Sequence, residues 1–385
     1  MSRSPMHQQI DTLPELVRQV AKPFDESARH TFDFELCASV KKIYLVGCGD
    51  SHHAAVGAEL AFHQLAGVPT QALSSLPFSR YTVGYLPDTG PKTNLTIAIS
   101  VSGVVSRTIE ALDLAQKAGA VGVALTGNPG APLGRIAQKV FQTTVPPLPD
   151  ELNMVVPGVR SYLASQMGLY SAAIRIGEVR GHLTTAQADS LRAELVGLAT
   201  VMEDTIRACE PLCKELVSRW ADAPDWVFVA GGPLYGAAMF SAAKLLEASG
   251  DAAMAQETEE WTHLQYFTTP TTTPTIFLSA AQFDADRMAE AARAAQSIGR
   301  RRVAVVPAGE TEISQWVETV LPVQGQVREC FAPLVFSIPG EIISAERAAL
   351  LGETYFRGFG GGRTVDWADG ASRIRNSNML TEVRR

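Results

Sequence analysis

Short apolar runs rich in β-branched residues recur along residues 41–145 and predict strands. The runs are Lys42–Val46, Val68–Leu73, Leu95–Ile99, Ala120–Leu125 and Val140–Thr144. Stretches with helical periodicity, His53–Ala66 and Val105–Ala118, lie between them. Because strands that alternate with helices form parallel sheets covered on both faces, this region is predicted to be an α/β domain.

The same alternation returns in the second half of the chain. Strand candidates there are Trp226–Ala230, Ala252–Gln256, Thr275–Leu278 and Arg302–Val306. A helix is predicted from Gly231-Gly232-Pro233 to about Ala248, a long helix over Val159–Ile176, and one or two more over Thr184–Trp220. We therefore expect two doubly wound, flavodoxin-like, mostly parallel sheets flanked by helices.

The repeated alternation also sets the expected domain limits. The two α/β domains are predicted over residues 36–195 and 196–360, after a helical segment over residues 1–35. Residues 361–385 are rich in Gly, Asp and Arg and predict a mobile tail. Within it, Arg373-Ile-Arg375 is a candidate either to fold over a site or to fray as a terminus.

Composition narrows the class of protein. The chain has 385 residues, of which 46% are apolar and 19% charged, which is typical of a globular protein. Its net charge of −7 argues against nucleic acid as a partner. No signal peptide and no membrane span is predicted, and the five cysteines suggest neither a disulfide framework nor a zinc site, so a cytoplasmic protein is expected.

Two Gly/Ser turns follow predicted strands and open predicted helices. They are Gly47-Cys-Gly49-Asp-Ser51 and Ser100-Val-Ser102-Gly103. Helix N-termini attract anions, and small hydroxyl residues add hydrogen-bond donors, so Ser51, Ser100 and Ser102 together suit a phosphate. The alternative is helix N-capping alone, which two such turns in one sheet make the weaker interpretation. Neither turn has the third glycine of a dinucleotide fingerprint, and no P-loop occurs.

These turns resemble those of the sugar isomerase (SIS) domain family. The clearest stretches are Gly47-Cys-Gly-Asp-Ser-His-His-Ala-Ala55, Leu65-Ala-Gly-Val-Pro69 and Ile97-Ala-Ile-Ser-Val-Ser-Gly103. The resemblance spans about residues 36–360 and is closest to the tandem SIS half of glucosamine-6-phosphate synthase and to related deaminases and deglycases. It implies two SIS domains, and a substrate phosphate held by Ser51, Ser100 and Ser102 beside Gly49 and Gly103.

The second half contains a candidate catalytic set. Lys244 and Glu247 lie three residues apart on a predicted helix and so on one face, and His263 follows sixteen residues later. A solvated helix pair and a structural histidine are the alternatives. The resemblance implies that Glu247 moves a proton between C1 and C2 of a sugar, while Lys244 and His263 assist ring opening. It also implies a homodimer with shared active sites, because the family's histidine commonly comes from the neighbouring subunit.

Two of the places where the sequence departs from the family pattern bear on the substrate. Val105 stands where the family has a third phosphate-binding hydroxyl, so Ser106 or Arg107 is the candidate to replace it, with a solvent-facing arginine as the alternative. Glu259-Glu-Trp-Thr-His263 keeps the histidine but lacks the basic residue before it and the Gly-Pro after it. The resemblance therefore leaves open which anion, phosphate or sulfonate, and which sugar is bound.

The leading hypothesis is an isomerase or deaminase of an anionic sugar or amino sugar that works by enediol or enolamine proton transfer. Neither a cofactor nor a metal ion is expected. No N-terminal Cys nucleophile or amidotransferase segment precedes the first SIS unit, so glutamine-dependent synthesis is not expected. The alternatives are a fructosamine-6-phosphate deglycase, a sugar-phosphate sensor and a silent SIS protein. The enzyme is favoured over the sensor because residues 1–35 do not suit a DNA-binding domain.

Overall fold

The computed structural model describes residues 3–148, 154–223, 225–358 and 378–384. The chain divides into two compact units. The N-terminal unit comprises the described parts of residues 15–147, 160–197 and 362–385, and the C-terminal unit those of residues 1–14, 148–159 and 198–361. Arg373 and Arg375 of the predicted tail lie outside the described residues.

The N-terminal unit is built on a five-stranded parallel sheet in the order β2-β1-β3-β4-β5. The strands are β1 (Lys42–Gly47), β2 (Thr70–Ser74), β3 (Asn94–Ile99), β4 (Val121–Thr126) and β5 (Lys139–Gln142). Strands β3 and β4 are buried along their whole length, as expected when helices cover both faces of a sheet. The register pairs Val46 with Ala98, so β1 and β3 end side by side at the carboxyl edge.

Helices flank this sheet and fill its connections. They are α2 (Leu13–Thr31), α3 (Phe34–Ser39), α4 (Asp50–Ala61), the single turn α5 (Ser75–Pro77), α6 (Ser106–Lys117), α7 (Pro132–Ile136) and α8 (Arg160–Val179). Helix α4 continues into a π-helical turn over Phe62–Ala66, and shorter turns occupy Phe78–Thr82 and Val83–Tyr85. Helix α9 (Thr185–Arg219) contributes residues to both units.

The C-terminal unit repeats this topology. Its parallel sheet has the order β10-β9-β8-β6-β7. The strands are β6 (Asp225–Ala230), β7 (Ala252–Glu257), β8 (Pro274–Leu278), β9 (Arg301–Pro307) and β10 (Thr319–Val323). The first strand of each unit therefore has the second strand on one side and the third on the other. This arrangement confirms the prediction of two doubly wound parallel sheets.

Further helices complete the C-terminal unit. They are α1 (Pro5–Asp11), α10 (Gly232–Ser249), α11 (Thr258–His263), α12 (Ala285–Ser297), α13 (Pro333–Phe336) and α14 (Ile338–Leu351), with short turns at Gln265–Phe267, Ser314–Trp316, Glu329–Phe331 and Tyr355–Gly358. Its core places Trp261 and Phe277 edge to face, with ring centroids 5.7 Å apart. Within the part of the chain that the structure describes, no helix has the length and apolarity of a membrane span.

Candidate active site

The last residue of β1 lies so close to the first turn of α4 that only glycine fits there. A Cβ atom on Gly47 would lie 2.7 Å from Ser51 Cβ and 2.9 Å from the backbone nitrogen of His52. Gly49 has a φ of +55° and precedes α4 without a side chain that could cap it. The first turn of α4 therefore opens at the carboxyl edge of the sheet, with Ser51 partly exposed in it.

The loop after β3 makes a second turn of this kind. The buried Ser100 hydroxyl accepts a hydrogen bond from the backbone N–H of Gly103 at 3.1 Å, which fixes the turn. Gly103 has a φ of +68°, and a Cβ atom there would lie 2.6 Å from Ala131 Cβ. Val105 precedes α6 and gives its first turn no side-chain hydrogen bond.

Together these loops place two helix N-termini at the switch point of the N-terminal unit. β1 and β3 are neighbours, so two helices without side-chain caps begin at adjacent places on one edge. The hydroxyl groups of Ser51 and Ser102 are both partly exposed and have no hydrogen-bond partner among the described residues. This chemistry suits a phosphate or another oxyanion, because backbone N–H and hydroxyl groups donate to it.

Arg107 is engaged elsewhere. Its Nη1 donates to Glu110 Oε2 at 2.6 Å, and its Nη2 donates to the carbonyl of Asn378 in the C-terminal segment. Burial alone would raise the pKa of Glu110, but hydrogen bonds from the Leu380 N–H and from Arg80 hold that pKa below its ordinary value. Arg107 therefore helps to anchor the C-terminal segment, while Ser106 is buried as the first residue of α6.

The C-terminal unit brings Lys244 and Glu247 together on α10. The Lys244 ammonium is fully buried, lies 4.9 Å from the centroid of the Phe240 ring and donates a hydrogen bond to Glu247 Oε2. The Glu247 side chain remains 27% exposed. The pair thus combines a buried ammonium group with a carboxylate that a ligand can reach.

His263 lies at the end of α11 in a different environment. Its side chain is 70% exposed, and Nε2 lies 3.1 Å from Glu259 Oε1. Hydrogen bonds from Arg287 lower the pKa of Glu259, so that carboxylate is ionised beside the imidazole. The structure therefore pairs His263 with Glu259 and not with Glu247.

Cysteine nucleophiles are disfavoured where the thiols are buried. Burial raises the pKa of Cys37 to about 11 and that of Cys209 to about 12, and it also raises the pKa of Cys213. Cys48, beside the first loop, accepts a weak hydrogen bond from the Thr108 hydroxyl at 3.8 Å. These contacts are typical of thiols that fill space in a core.

One group of side chains among the described residues has the spacing of a metal site. The ligand atoms of His7, Glu210 and Glu346 lie within 4.8 Å of one another in the C-terminal unit. The Arg3 guanidinium, however, donates to both carboxylate oxygens of Glu210 and so already supplies a cation there. The absence of a metal site stays a prediction from sequence.

Sequence reasoning did not single out the carboxylates at the carboxyl edge of the C-terminal sheet. Glu257 ends β7, Asp284 follows β8, and Glu329 follows β10. Their position after a strand, where α/β proteins bind ligands, is the signal that could have identified them. In contrast, a cavity of about 400 Å³ at the amino edge of the N-terminal sheet is lined by Lys92 and Lys139, whose charges are already paired with carboxylates.

Comparison with known proteins identifies the family of the region that contains the serine-bearing loops. Residues 36–175 match the family model of the SIS domain. This region is an SIS domain, and the two-sheet fold of the chain matches two such domains.

The chain is homologous to the isomerase half of glutamine–fructose-6-phosphate aminotransferase (isomerizing). It is 24% identical over 345 residues to this protein from Gloeobacter violaceus, covering 89% of the chain and 54% of the relative. It is 29% identical over 216 residues to the Pseudomonas putida protein, covering 56% and 34%. The chain thus spans about half the length of the first of these relatives.

Solved structures share the fold at lower identity. The C-terminal domain of glucosamine-fructose-6-phosphate aminotransferase from Francisella tularensis superposes with a TM-score of 0.76 at 19% identity, covering 92% of this chain and 98% of that one. Glucosamine-6-phosphate deaminase from Thermotoga maritima gives a TM-score of 0.62 at 16% identity, covering 89% and 94%.

Proposed function

We propose that the protein is an isomerase or deaminase of a sugar phosphate or amino-sugar phosphate. The observation that carries the proposal is the Lys244–Glu247 pair, in which a fully buried ammonium holds a partly exposed carboxylate. The relatives and structural neighbours are named for fructose-6-phosphate and glucosamine-6-phosphate, which supports this class of substrate.

In the proposed reaction Glu247 acts as the base. It removes the proton from the carbon next to the carbonyl or imine of the open-chain sugar and returns it to the neighbouring carbon. With an aldose or ketose this transfer passes through an enediol and gives the isomeric sugar. With a 2-amino sugar it passes through an enolamine to an imine, which water hydrolyses to a ketose and ammonia.

Lys244 supports this base in two ways. Its positive charge stabilises the ionised form of Glu247, and its hydrogen bond fixes the orientation of the carboxylate. We assign to His263 the proton transfers that open the sugar ring, because an imidazole can both donate and accept a proton near neutral pH. Lys244 is fully buried and assists only through its hydrogen bond to Glu247.

The loops of the N-terminal unit are assigned to the anion of the substrate. Ser51, Ser100 and Ser102 would supply hydroxyl donors, and Gly49 and Gly103 would allow the oxyanion to approach the backbone. Ser106 lies in the first turn of α6, whereas Arg107 would contribute only after leaving Glu110. The exposed His263 is assigned to the active site of a second copy in a homodimer.

The test is an NMR time course in D₂O with fructose-6-phosphate, glucosamine-6-phosphate, galactosamine-6-phosphate, fructosamine-6-phosphates and a sulfosugar. We expect deuterium to enter C1 or C2 of one sugar, or ammonia or an amine to be released. In Glu247→Gln, which keeps an oxygen to accept from Lys244, the rate should fall about a thousandfold.

Ser102→Ala serves as the matched variant for anion binding. Because the Ser102 hydroxyl has no partner among the described residues, its removal should leave folding stability unchanged. KM for the phosphosugar should rise about tenfold with little change in kcat, since one charge-assisted hydrogen bond is lost. Tight binding of a sugar phosphate without exchange or release would contradict the enzyme and favour a sensor.

A further inference from the structure

The switch point of the C-terminal unit differs in charge from that of the N-terminal unit. Gly231 follows β6, Glu257 and Thr258 lie at the end of β7, and Asp284 follows β8. Glu329, after β10, accepts a hydrogen bond from the N–H of Phe283, next to Asp284, at 3.1 Å. We call these five residues (Gly231, Glu257, Thr258, Asp284 and Glu329) the acidic crevice. Its position is where doubly wound sheets bind ligands.

One oxygen of each carboxylate is held by the surrounding fold. Glu257 Oε2 accepts from the backbone N–H groups of Glu259 and Glu260, at 2.8 and 3.1 Å. Asp284 Oδ1 accepts from the Ser279 hydroxyl at 2.6 Å. The side chains are therefore oriented before any ligand arrives, and Glu257 Oε1 and Asp284 Oδ2 are left to face the crevice.

Three oxygen atoms surround the space that Gly231 leaves open. A Cβ atom on Gly231 would lie 3.4 Å from Asp284 Oδ2, 3.6 Å from Thr258 Oγ1 and 3.8 Å from Glu257 Oε1. Thr258 is only 4% exposed, and its hydroxyl has no hydrogen-bond partner among the described residues. A buried hydroxyl without a partner is costly, so it points to a ligand that would supply the missing hydrogen bond.

No positively charged side chain forms an ion pair with the carboxylates of the acidic crevice in the part of the chain that the structure describes. Glu257, Asp284 and Glu329 form no ion pair with any described Lys, Arg or His. Burial raises the pKa of Asp284, and burial together with the charge of Asp284 raises the pKa of Glu329 to about 7. Tyr235 on α10 also has a raised pKa because of burial and the charge of Glu257.

We propose that the acidic crevice binds the primary ammonium group of a small organic amine. An ammonium group has three N–H donors, and Asp284 Oδ2, Thr258 Oγ1 and Glu257 Oε1 are three acceptors that border one space. Partly exposed Gly231, Glu257 and Asp284 leave the space open to a ligand. The amino group of an amino sugar and that of a polyamine share this chemistry.

A metal ion fits the crevice less well. Metal ligands must lie about 2.0–2.6 Å from the ion, so the oxygens at the crevice would have to move closer together. The hydrogen bonds that hold the other oxygen of Glu257 and of Asp284 oppose this movement. Among the described residues, the ligand atoms that lie within 4.8 Å of one another belong to His7, Glu210 and Glu346 and not to this crevice. An anion is excluded by the charge of the carboxylates.

The test is titration of the whole chain by calorimetry and saturation-transfer NMR with glucosamine, 1,4-diaminobutane and glucose. The probes carry no phosphate, so the result does not depend on the anion-binding loops or on the proposed catalysis. We expect saturable binding of at least one amine and none of glucose, which lacks the amino group. Binding of glucosamine alone would identify an amino-sugar site, and binding of diaminobutane alone a polyamine site.

Gly231→Ala places a methyl group in the crevice at ordinary contact distances and at a φ of −109° that alanine readily adopts. We expect it to fold normally and to weaken amine binding about tenfold or more, because an ionic hydrogen bond is lost. Gly197→Ala, where a Cβ atom meets nothing within 4 Å, is the matched control and should bind as the wild type does.

Thr258→Val separates a binding role from a structural one. If the Thr258 hydroxyl forms its hydrogen bond only with a bound ligand, its removal should weaken amine binding. The ligand-free variant should then be at least as stable as the ligand-free wild type. The proposal would be overturned if glucose bound as tightly as the amines or if Gly231→Ala bound the amines unchanged. A lower melting temperature of ligand-free Thr258→Val would also overturn it. Competition by Mg²⁺ or Ca²⁺ that abolishes amine binding at equal concentration would reassign the crevice to a metal ion.

Discussion

The pKa of a carboxyl group depends on its surroundings, and the pKa values of the acidic residues in this chain are shifted in opposite directions. Glu110 is buried among arginines and backbone donors and has a lowered pKa, whereas Glu329 is buried beside another carboxylate and has a raised one. Both residues look alike in the sequence. Their neighbours, which come from distant positions, decide which of them is ionised at neutral pH.

Glu329 gives a prediction for the pH dependence of stability. Its pKa rises on folding from 4.5 to about 7, so between these pH values the folded state holds a proton that the unfolded chain has released. Stability therefore falls as the pH rises through this window, and the full loss is present above about pH 7. Glu329→Gln should be about 3 kcal/mol more stable than the wild type at pH 8 and within about 0.5 kcal/mol of it at pH 4.5, in urea unfolding. An equal difference at both pH values would show that the carboxyl is not perturbed.

At the scale of elements, most strands and helices lie close to the predicted positions. The helix predicted over His53–Ala66 is α4 together with the π-helical turn that follows it. Strand β10 was not predicted, since Pro322 interrupts its apolar pattern. The structure explains this: β10 is an edge strand, where a residue without an N–H is tolerated. The Gly/Ser turns were predictable because strand, turn and helix follow one another locally.

Packing between elements gives a second prediction. A Cβ atom on Gly177 of α8 would lie 1.9 Å from the carbonyl oxygen of Leu65, so α8 approaches this backbone too closely for alanine. Gly177→Ala should destabilise the protein by about 3 kcal/mol or more. Gly197→Ala, on α9, has open space and should stabilise it by about 0.5–1 kcal/mol. Thermal unfolding shows whether each variant is less or more stable than the wild type. A Gly177→Ala variant as stable as the wild type would contradict the close approach.

At the scale of the whole molecule, the position of His263 bears on assembly. The side chain is exposed and contacts Glu259, in contrast to the buried Lys244 of the same unit. In the proposed homodimer, each site takes Glu247 from one copy and His263 from the other. Neither a Glu247 variant nor a His263 variant alone can show whether the two copies share their active sites. Dimers that contain one copy of each variant can show it.

Mixing two inactive variants tests this arrangement. Glu247→Gln and His263→Ala, refolded together at equal amounts, form mixed dimers in half of the cases, and each mixed dimer has one intact site. We expect about one quarter of the wild-type activity to return, and none when either variant is refolded alone. Size-exclusion chromatography of each variant checks that dimers form. Mixtures that stay inactive although dimers exchange would place Glu247 and His263 of one copy in the same site.

The sequence by itself determined the two α/β units, the parallel strands and the Gly/Ser loops at their carboxyl ends. These features depend on periodicity and turn residues, which act over a few neighbouring positions. It also placed Lys244 and Glu247 on one helix face, where the structure shows them hydrogen-bonded. The catalytic and anion-binding roles of these residues stay predictions.

Only the tertiary structure decided what surrounds each charged group. It engages Arg107 with Glu110 and with Asn378, a residue 271 positions away, and these contacts hold the arginine that the sequence offered as a candidate phosphate donor. It also assembles the acidic crevice from residues that span positions 231 to 329. Charge, burial and the protonation of a carboxyl depend on contacts between distant segments, and no local pattern encodes those contacts.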